Sequence, residues 1–305
     1  MTTPHSGERH QVDPPTGPAP TAREIFQSPV IEVVPGAGSP LEARLIEASG
    51  FRAIYVSGYA HAAAIHGQPD IGLVGASETV ANVAAIRDVV DLPLIVDADT
   101  GYGDVVNVRD TVRRLEYAGA NAIQIEDQIW PKRCGHLAGK RVISRDDMLR
   151  KVAAAAQGRR SDDTVIIART DARGPLGFDE ALERAQSFTA AGADAVFIDA
   201  PESIEELERI GAELTAPTMA NMSETGLTPL LGAQKLEELG FSVALFPTSL
   251  LRIATRSCMR LLDHLRETGE TSSLLPDIMS LDELNELLGL DRLNAFEDSI
   301  MAAKL

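Results

Sequence analysis

Residues 94–127 read LIVDADTGYGDVVNVRDTVRRLEYAGANAIQIED. A short β-branched run, Leu94–Val96, ends in the acidic, glycine-bearing turn Asp97–Gly103. An amphipathic stretch, Val108–Ala118, follows, and Ala118-Gly119-Ala120 places glycine where a helix end wants a left-handed residue. A second β-branched run, Ala122–Ile125, then ends in Glu126-Asp127. The period thus switches from strand to helix and back within one unit.

The same unit recurs on both sides. Strands are expected at Ile31–Val34, Ala53–Val56, Leu94–Val96, Ala122–Ile125, Val165–Ala168, Ala195–Ile198, Thr218–Ala220 and Val243–Phe246. Helices are expected at Pro40–Ala48, Ser77–Val89, Val108–Ala118, Arg145–Gln157, Phe178–Ala191, Ile204–Leu214, Leu231–Leu239 and Leu250–Arg266. Asn107, Ser144 and Ser203 stand at N-cap positions, and Ser203 with Glu206 spells a capping box. Strict alternation argues for a parallel sheet, and eight units argue for closure into an α/β barrel of the (β/α)8 TIM type. A doubly wound open sheet is the alternative. Met279–Leu288 and Leu290–Leu305 read as two further helices beyond the barrel count. The expected organisation is an arm over 1–20, a catalytic barrel over 21–268 and a helical extension over 269–305. The arm, rich in Pro, Thr and Gly, is expected to be disordered and lacks the pattern of a secretory signal.

Composition narrows the function. Aromatics make up 4% of the 305 residues, so the core is expected to be aliphatic. The net charge of −17 repels phosphate backbones and anionic lipid, which excludes nucleic acid and membrane as expected partners. It also repels anionic substrates at long range, so an enzyme acting on them needs a local cation. Two cysteines, Cys134 and Cys258, make no disulfide framework and suit a cytoplasmic setting.

Barrel chemistry sits at the C-terminal ends of the strands. Reading those ends gives Ser57-Gly58, Asp97-Ala98-Asp99, Glu126-Asp127, Arg169-Thr170-Asp171, Asp199 and Asn221. Asp97 and Asp99 face one side of an extended strand end, and Glu126 comes from the next strand. Three converging carboxylates suit Mg²⁺, with Mn²⁺ a second choice. The plain alternative is a solvated acidic loop. Glu126–Ile143 is a long connection, of the kind that forms lids, and carries Lys132, Arg133, Cys134, Gly135, His136, Lys140 and Arg141. Cations around a thiol favour its thiolate, which suits proton transfer; an inert loop cysteine is the alternative. Arg169 reads either as a clamp on a substrate carboxylate or as a neutraliser of the carboxylates beside it. His61, His66 and Cys258 are read as packing or surface residues, and Trp130 as a structural anchor of the lid.

The stretches SGYAHAAAIHGQPDIGL, VDADTGYG, EDQ…PKRCGH, IIARTDA and ANMSETGLTP resemble the isocitrate lyase/phosphoenolpyruvate mutase superfamily over Ala22 to Leu305. KRCGH resembles the branch that includes 2-methylisocitrate lyase, 2,3-dimethylmalate lyase and carboxyphosphonoenolpyruvate mutase. The resemblance implies an eighth helix swapped between paired subunits of a dimer or tetramer. It implies metal held by Asp99 directly and by Asp97 and Glu126 largely through water. It further implies a catalytic set of Cys134, Arg169, Glu126 and His136. Substrate contacts follow at Ser57, Gly58, Tyr59, Asp70, Gly135, Arg169, Asp199, Asn221 and Thr228. Three departures stand out: Tyr59-Ala60-His61 after the Ser-Gly pair, Asp199 where many lyases carry Glu, and Glu224-Thr225-Gly226 where relatives often read EGG or EFG.

The implied activity is Mg²⁺-dependent cleavage of a carbon–carbon bond in a 2-hydroxy di- or tricarboxylate, 2-methylisocitrate or an alkylmalate, to an α-keto acid such as pyruvate. Cys134 is expected to protonate the departing carbanion under a closed loop. Carboxyphosphonoenolpyruvate phosphonomutase and oxaloacetate hydrolase or decarboxylase are the alternative activities on the same site, and an inactive barrel scaffold is the alternative to an enzyme.

Overall fold

The computed structural model describes residues 19–135 and 139–303. The eight strands are β1 (Glu32–Ala37), β2 (Ile54–Val56), β3 (Leu94–Asp97), β4 (Ala122–Glu126), β5 (Val165–Thr170), β6 (Ala195–Ile198), β7 (Met219–Asn221) and β8 (Val243–Phe246). All neighbours pair in parallel from β1 to β6, β1 also pairs with β8, and β8 with β7. A parallel bridge between Val196 and Thr218 joins β6 to β7 and closes the ring. The barrel reading therefore holds and the open sheet does not.

Alternation along each strand builds two layers. Leu94, Val96, Ile123, Ile125, Ile166 and Val196 face outward into the cluster shared with the helices. Tyr55, Ile95, Ala122, Val165, Ile167 and Phe197 face inward and fill the barrel. The helix Ala22–Gln27, capped by Thr21 and Glu24 acting reciprocally, joins that interior through Ala22, Ile25 and Phe26. It closes the barrel opposite the strands' C-terminal mouth.

The helix after β3 spans Val105–Tyr117, and its N-cap is Asp104 rather than Asn107; Asn107 instead closes the capping box from the third position. Ser203 caps Ile204–Glu213, but the Glu206 carboxylate accepts from the amide of Glu202 and pairs with Arg173, so that box stays half made. Short helices at Gly58–His66 and Arg173–Leu176 were not foreseen.

Beyond β8 the chain leaves the barrel. The helix Ser249–Thr268 buries none of its residues in this chain. Leu281–Leu288 and Leu290–Ala302 follow it and bury none either. Leu281, Phe296 and Met301 are 78%, 65% and 81% exposed. The extension meets the barrel where Arg44 Nη1 donates to the Leu287 carbonyl (3.3 Å). No helix among the described residues is long and apolar enough to cross a membrane.

Candidate active site

Inward parity carries the chemistry to the mouth. Ser57, Asp97, Glu126, Arg169, Asp199 and Asn221 stand two residues beyond Tyr55, Ile95, Gln124, Ile167, Phe197 and Met219, on the interior face of each strand. They line one cavity of about 390 Å³, together with Tyr59, Asp70, Lys132, Cys134 and Gly135. Thus most of the expected site residues converge.

Three expectations shift. Ser57 lines the cavity, but its hydroxyl also accepts from the Ala60 amide (3.2 Å) and so caps the helix Gly58–His66. Gly58 stands behind the carboxylates: a Cβ there would lie 3.0 Å from Asp97 Oδ2 and 3.5 Å from Asp99 Oδ1. Thr228 is buried away from the cavity lining, its hydroxyl without a hydrogen-bond partner among the described residues. His136 lies outside the described residues.

Arg169 lines the cavity and is ion-paired with the carboxylates beside it. Nε and Nη2 donate to the two oxygens of Asp171 (2.9 Å each), Nη2 also reaches Asp199 (3.0 Å), and Nε lies 3.3 Å from Glu126. The guanidinium is 8% exposed, sits over Phe197 (5.3 Å) and lines the cavity. Burial opposes its charge, but Asp171, Asp199 and Glu126 together hold it protonated. Asp171 is likewise opposed by burial, and Arg169 and Lys140 hold it far below the usual carboxylate range. Lys140 Nζ donates to Asp171 at 3.0 Å, tying the far end of the loop to the same acid.

Lys132 supplies the other cation. Its ammonium, 4% exposed, pairs with Asp99 (2.7 Å) and with Asp70. Burial works against that charge, yet Asp99, Asp70, Asp97 and Glu126 raise its pKa well above the usual lysine value. Acids remain in excess. Burial raises the Asp99 carboxyl to about 7, with Lys132 pulling it down and Asp97 and Asp70 pushing it up. Burial raises Glu126 well above the usual range, more than Arg169 restores.

Among the described residues no three acids, histidines or thiols already form a coordination set. The donors nevertheless fit a hard divalent cation. Glu126 Oε1 is buried without a hydrogen-bond partner among the described residues. Among the described residues Asp97 Oδ1 accepts from the Asp99 amide (3.2 Å) and from Gln124 Nε2 (3.4 Å), both long. Oxygen donors with surplus negative charge in a buried site are what Mg²⁺ and Mn²⁺ bind.

The described parts of the loop lie against the barrel. Gln128 pairs with Val142, its side chain donates to the Arg133 carbonyl (2.8 Å) and accepts from the Arg133 amide (3.0 Å). Gly135 lies flush on the barrel: a Cβ there would fall 1.6 Å from Asp199 Oδ2 and 2.5 Å from Arg169 Nη2. Cys134 is half-buried at the cavity wall beside it.

Known proteins can now be compared with this geometry. Residues 23–266 match the family described as phosphoenolpyruvate phosphomutase. The chain belongs to that family. Within it, the chain is 42% identical over 275 residues to the 2,3-dimethylmalate lyase of Eubacterium barkeri, covering 90% of this chain and 95% of that protein. It is 42% identical over 277 residues to the 2-methylisocitrate lyase of Aeropyrum pernix, covering 91% and 89%. The fold matches the crystal structure of a 2,3-dimethylmalate lyase with a TM-score of 0.86 at 34% identity, over 91% of this chain and 93% of that one. It also matches the crystal structure of a phosphonopyruvate hydrolase in complex with oxalate and Mg²⁺, with a TM-score of 0.82 at 30% identity, over 90% and 96%.

Sequence reasoning missed several lining residues. Tyr55, which donates to Gln124 (3.2 Å), and Phe197 follow from strand parity once the ends are fixed. Arg252, from the helix after β8, donates to Thr225 Oγ1 (2.9 Å) and to the Glu224 carbonyl (2.5 Å) after β7, inside the Glu224-Thr225-Gly226 departure. Nothing in the sequence pairs those two segments. Lys132 was read only as part of a cationic loop; no local signal pointed to Asp99.

Proposed function

We propose that the protein is a carbon–carbon lyase that cleaves a small 2-hydroxy di- or tricarboxylate, 2-methylisocitrate or an alkylmalate, to an α-keto acid such as pyruvate and a carboxylate. The observation that carries this reading is the Cys134 loop, seated by Gly135 on Arg169 and Asp199 and facing buried carboxylates across one cavity. The 42% identity to two lyases supports it.

Asp97, Asp99 and Glu126 would hold Mg²⁺ or Mn²⁺, a Lewis acid for the oxygens of the keto acid. The remaining chemistry belongs to this chain's side chains. In the retro-aldol cleavage a carboxylate of the cavity wall takes the proton of the C2 hydroxyl, C2 becomes the keto carbon as the C2–C3 electron pair moves to C3, and the Cys134 thiol gives C3 its proton and is left as a thiolate. Arg169, fixed by Asp171, presents a rigid positive charge to the oxyanion, needing no reorganisation as that charge develops. The seated loop keeps water from the carbanion. With a divalent cation held by Asp97, Asp99 and Glu126, the mouth would lose its excess negative charge and offset at short range what the −17 surface repels.

We place the activity in the cytoplasm, where both cysteines stay reduced, and assign the exposed helices after β8 to contact with a second copy of the chain, in a dimer or tetramer.

The test is keto-acid release from 2-methylisocitrate, isocitrate, 2,3-dimethylmalate, 2-ethylmalate and oxaloacetate, with Mg²⁺ and with EDTA. One member should give EDTA-sensitive release, and Cys134→Ser should lower it by about 10²–10⁴-fold, the usual worth of a positioned proton donor. Silence across the panel from folded protein would overturn the lyase reading.

A further inference from the structure

The ammonium of Lys132 stands at one of the carboxylates assigned to the metal. It pairs with Asp99, which the metal reading claims, and with Asp70, which that reading leaves to the substrate. Two residues on is Cys134 and three on is Gly135, against Asp199 and Arg169. Gln128 pins the near end of this segment through both backbone groups of Arg133. Among the described residues, Lys132 joins this short segment to the acidic turn after β3 through its ion pair with Asp99.

A cation on Asp99 and an ammonium on Asp99 compete for the same lone pairs. We propose that Lys132 is a positioning residue that competes with the divalent cation for Asp99 and, once displaced, is kept by Asp70, so that metal occupancy sets the placement of the segment bearing Cys134. The inference rests on the metal reading above. Competition for one acid is a coupling between two equilibria, and coupling is reciprocal: what the ammonium takes from metal affinity, the metal takes from the ammonium's hold. Asp70 keeps the exchange from leaving a buried lysine without a counter-ion, a costly state.

The chain carries its own reporter. Trp130, the single tryptophan, lies two residues before Lys132. It meets Tyr102 edge-on at 6.1 Å, and a Cβ on Gly72 would lie 3.2 Å from its ring. A segment that shifts with the metal changes that packing.

The experiment titrates Mn²⁺ without substrate into wild type, Lys132→Met, Asp70→Asn, the double variant and Asp99→Asn. Free Mn²⁺ is read by electron paramagnetic resonance and Trp130 by fluorescence. Lys132→Met should bind Mn²⁺ about five- to 150-fold more tightly than wild type, the usual span of coupling between sites. Asp70→Asn should weaken binding, and much less so in the Lys132→Met background. Wild-type fluorescence should follow the Mn²⁺ isotherm, an arm that needs no variant to fold. Equal or weaker binding by folded Lys132→Met, or silent Trp130 while wild type takes up Mn²⁺, overturns the proposal alone. Wild type and Asp99→Asn binding no Mn²⁺ alike would overturn the metal reading and the proposal together.

Discussion

Gly135→Ala tests whether the seated loop is the working one. The added methyl would meet Asp199 Oδ2 at 1.6 Å and Arg169 Nη2 at 2.5 Å. Neither neighbour can yield: Asp199 is fully buried and held by Arg169 (3.0 Å) and Asn221 (3.2 Å), and Arg169 is fixed by Asp171. The loop must lift instead, by roughly 1.5 Å if carbon and oxygen are to regain contact distance, and Cys134 lifts with it. Misplacing a reacting group by about 1 Å costs on the order of 10²-fold, so kcat/KM should fall by about two decades, or ~2.7 kcal/mol of transition-state stabilisation. The backbone at Gly135 is not left-handed, so the contact alone is at issue. The assay is keto-acid release under saturating Mg²⁺, beside a thermal melt. Near-wild-type kcat/KM, or an equally large loss traced to unfolding, would refute the reasoning.

Two further outcomes follow from the buried charges. Asp99 has a folded pKa raised to about 7 by burial, above the unfolded value of ~3.9. Its contribution to stability is therefore present at low pH and lost as pH rises through about 7, so metal-free protein should melt higher near pH ~5 than near ~8 by more than Asp99→Asn does. Arg184→Met should cost about 3–5 kcal/mol, because it strands Asp127, which is fully buried and accepts from Arg184 Nη1 (2.9 Å), Thr170 (2.6 Å) and the Asp171 amide (2.8 Å). Denaturant unfolding checks it, and a loss under ~1 kcal/mol would show that the pair is dispensable.

The barrel was legible because its signal is local: β-branched runs of one length, glycine helix ends and acids at the strand ends repeat in phase. The inward set, Ser57, Asp97, Glu126, Arg169, Asp199 and Asn221, followed from parity alone. What stayed hidden depends on contacts distant in sequence. At Arg169 the sequence favours the substrate clamp, because it does not show Asp199, thirty residues on, beside the guanidinium; the closed barrel brings the two to 3.0 Å. Thr228, implied by the resemblance alone, is buried in a segment whose burial no local pattern announces. Asn107 was a fair N-cap by type, but Asp104 stands one helical turn earlier and claims the position.

The helix Ala22–Gln27 plugs one end of the barrel with Ile25 and Phe26. The cavity lies at the opposite end, beside Cys134 and Gly135. Under the proposed reaction two products must leave by the route one substrate entered, and whichever lies deeper waits for the other. Release is then ordered by depth: the product nearer the loop departs first, and the deeper one should inhibit competitively against substrate while the outer one does not.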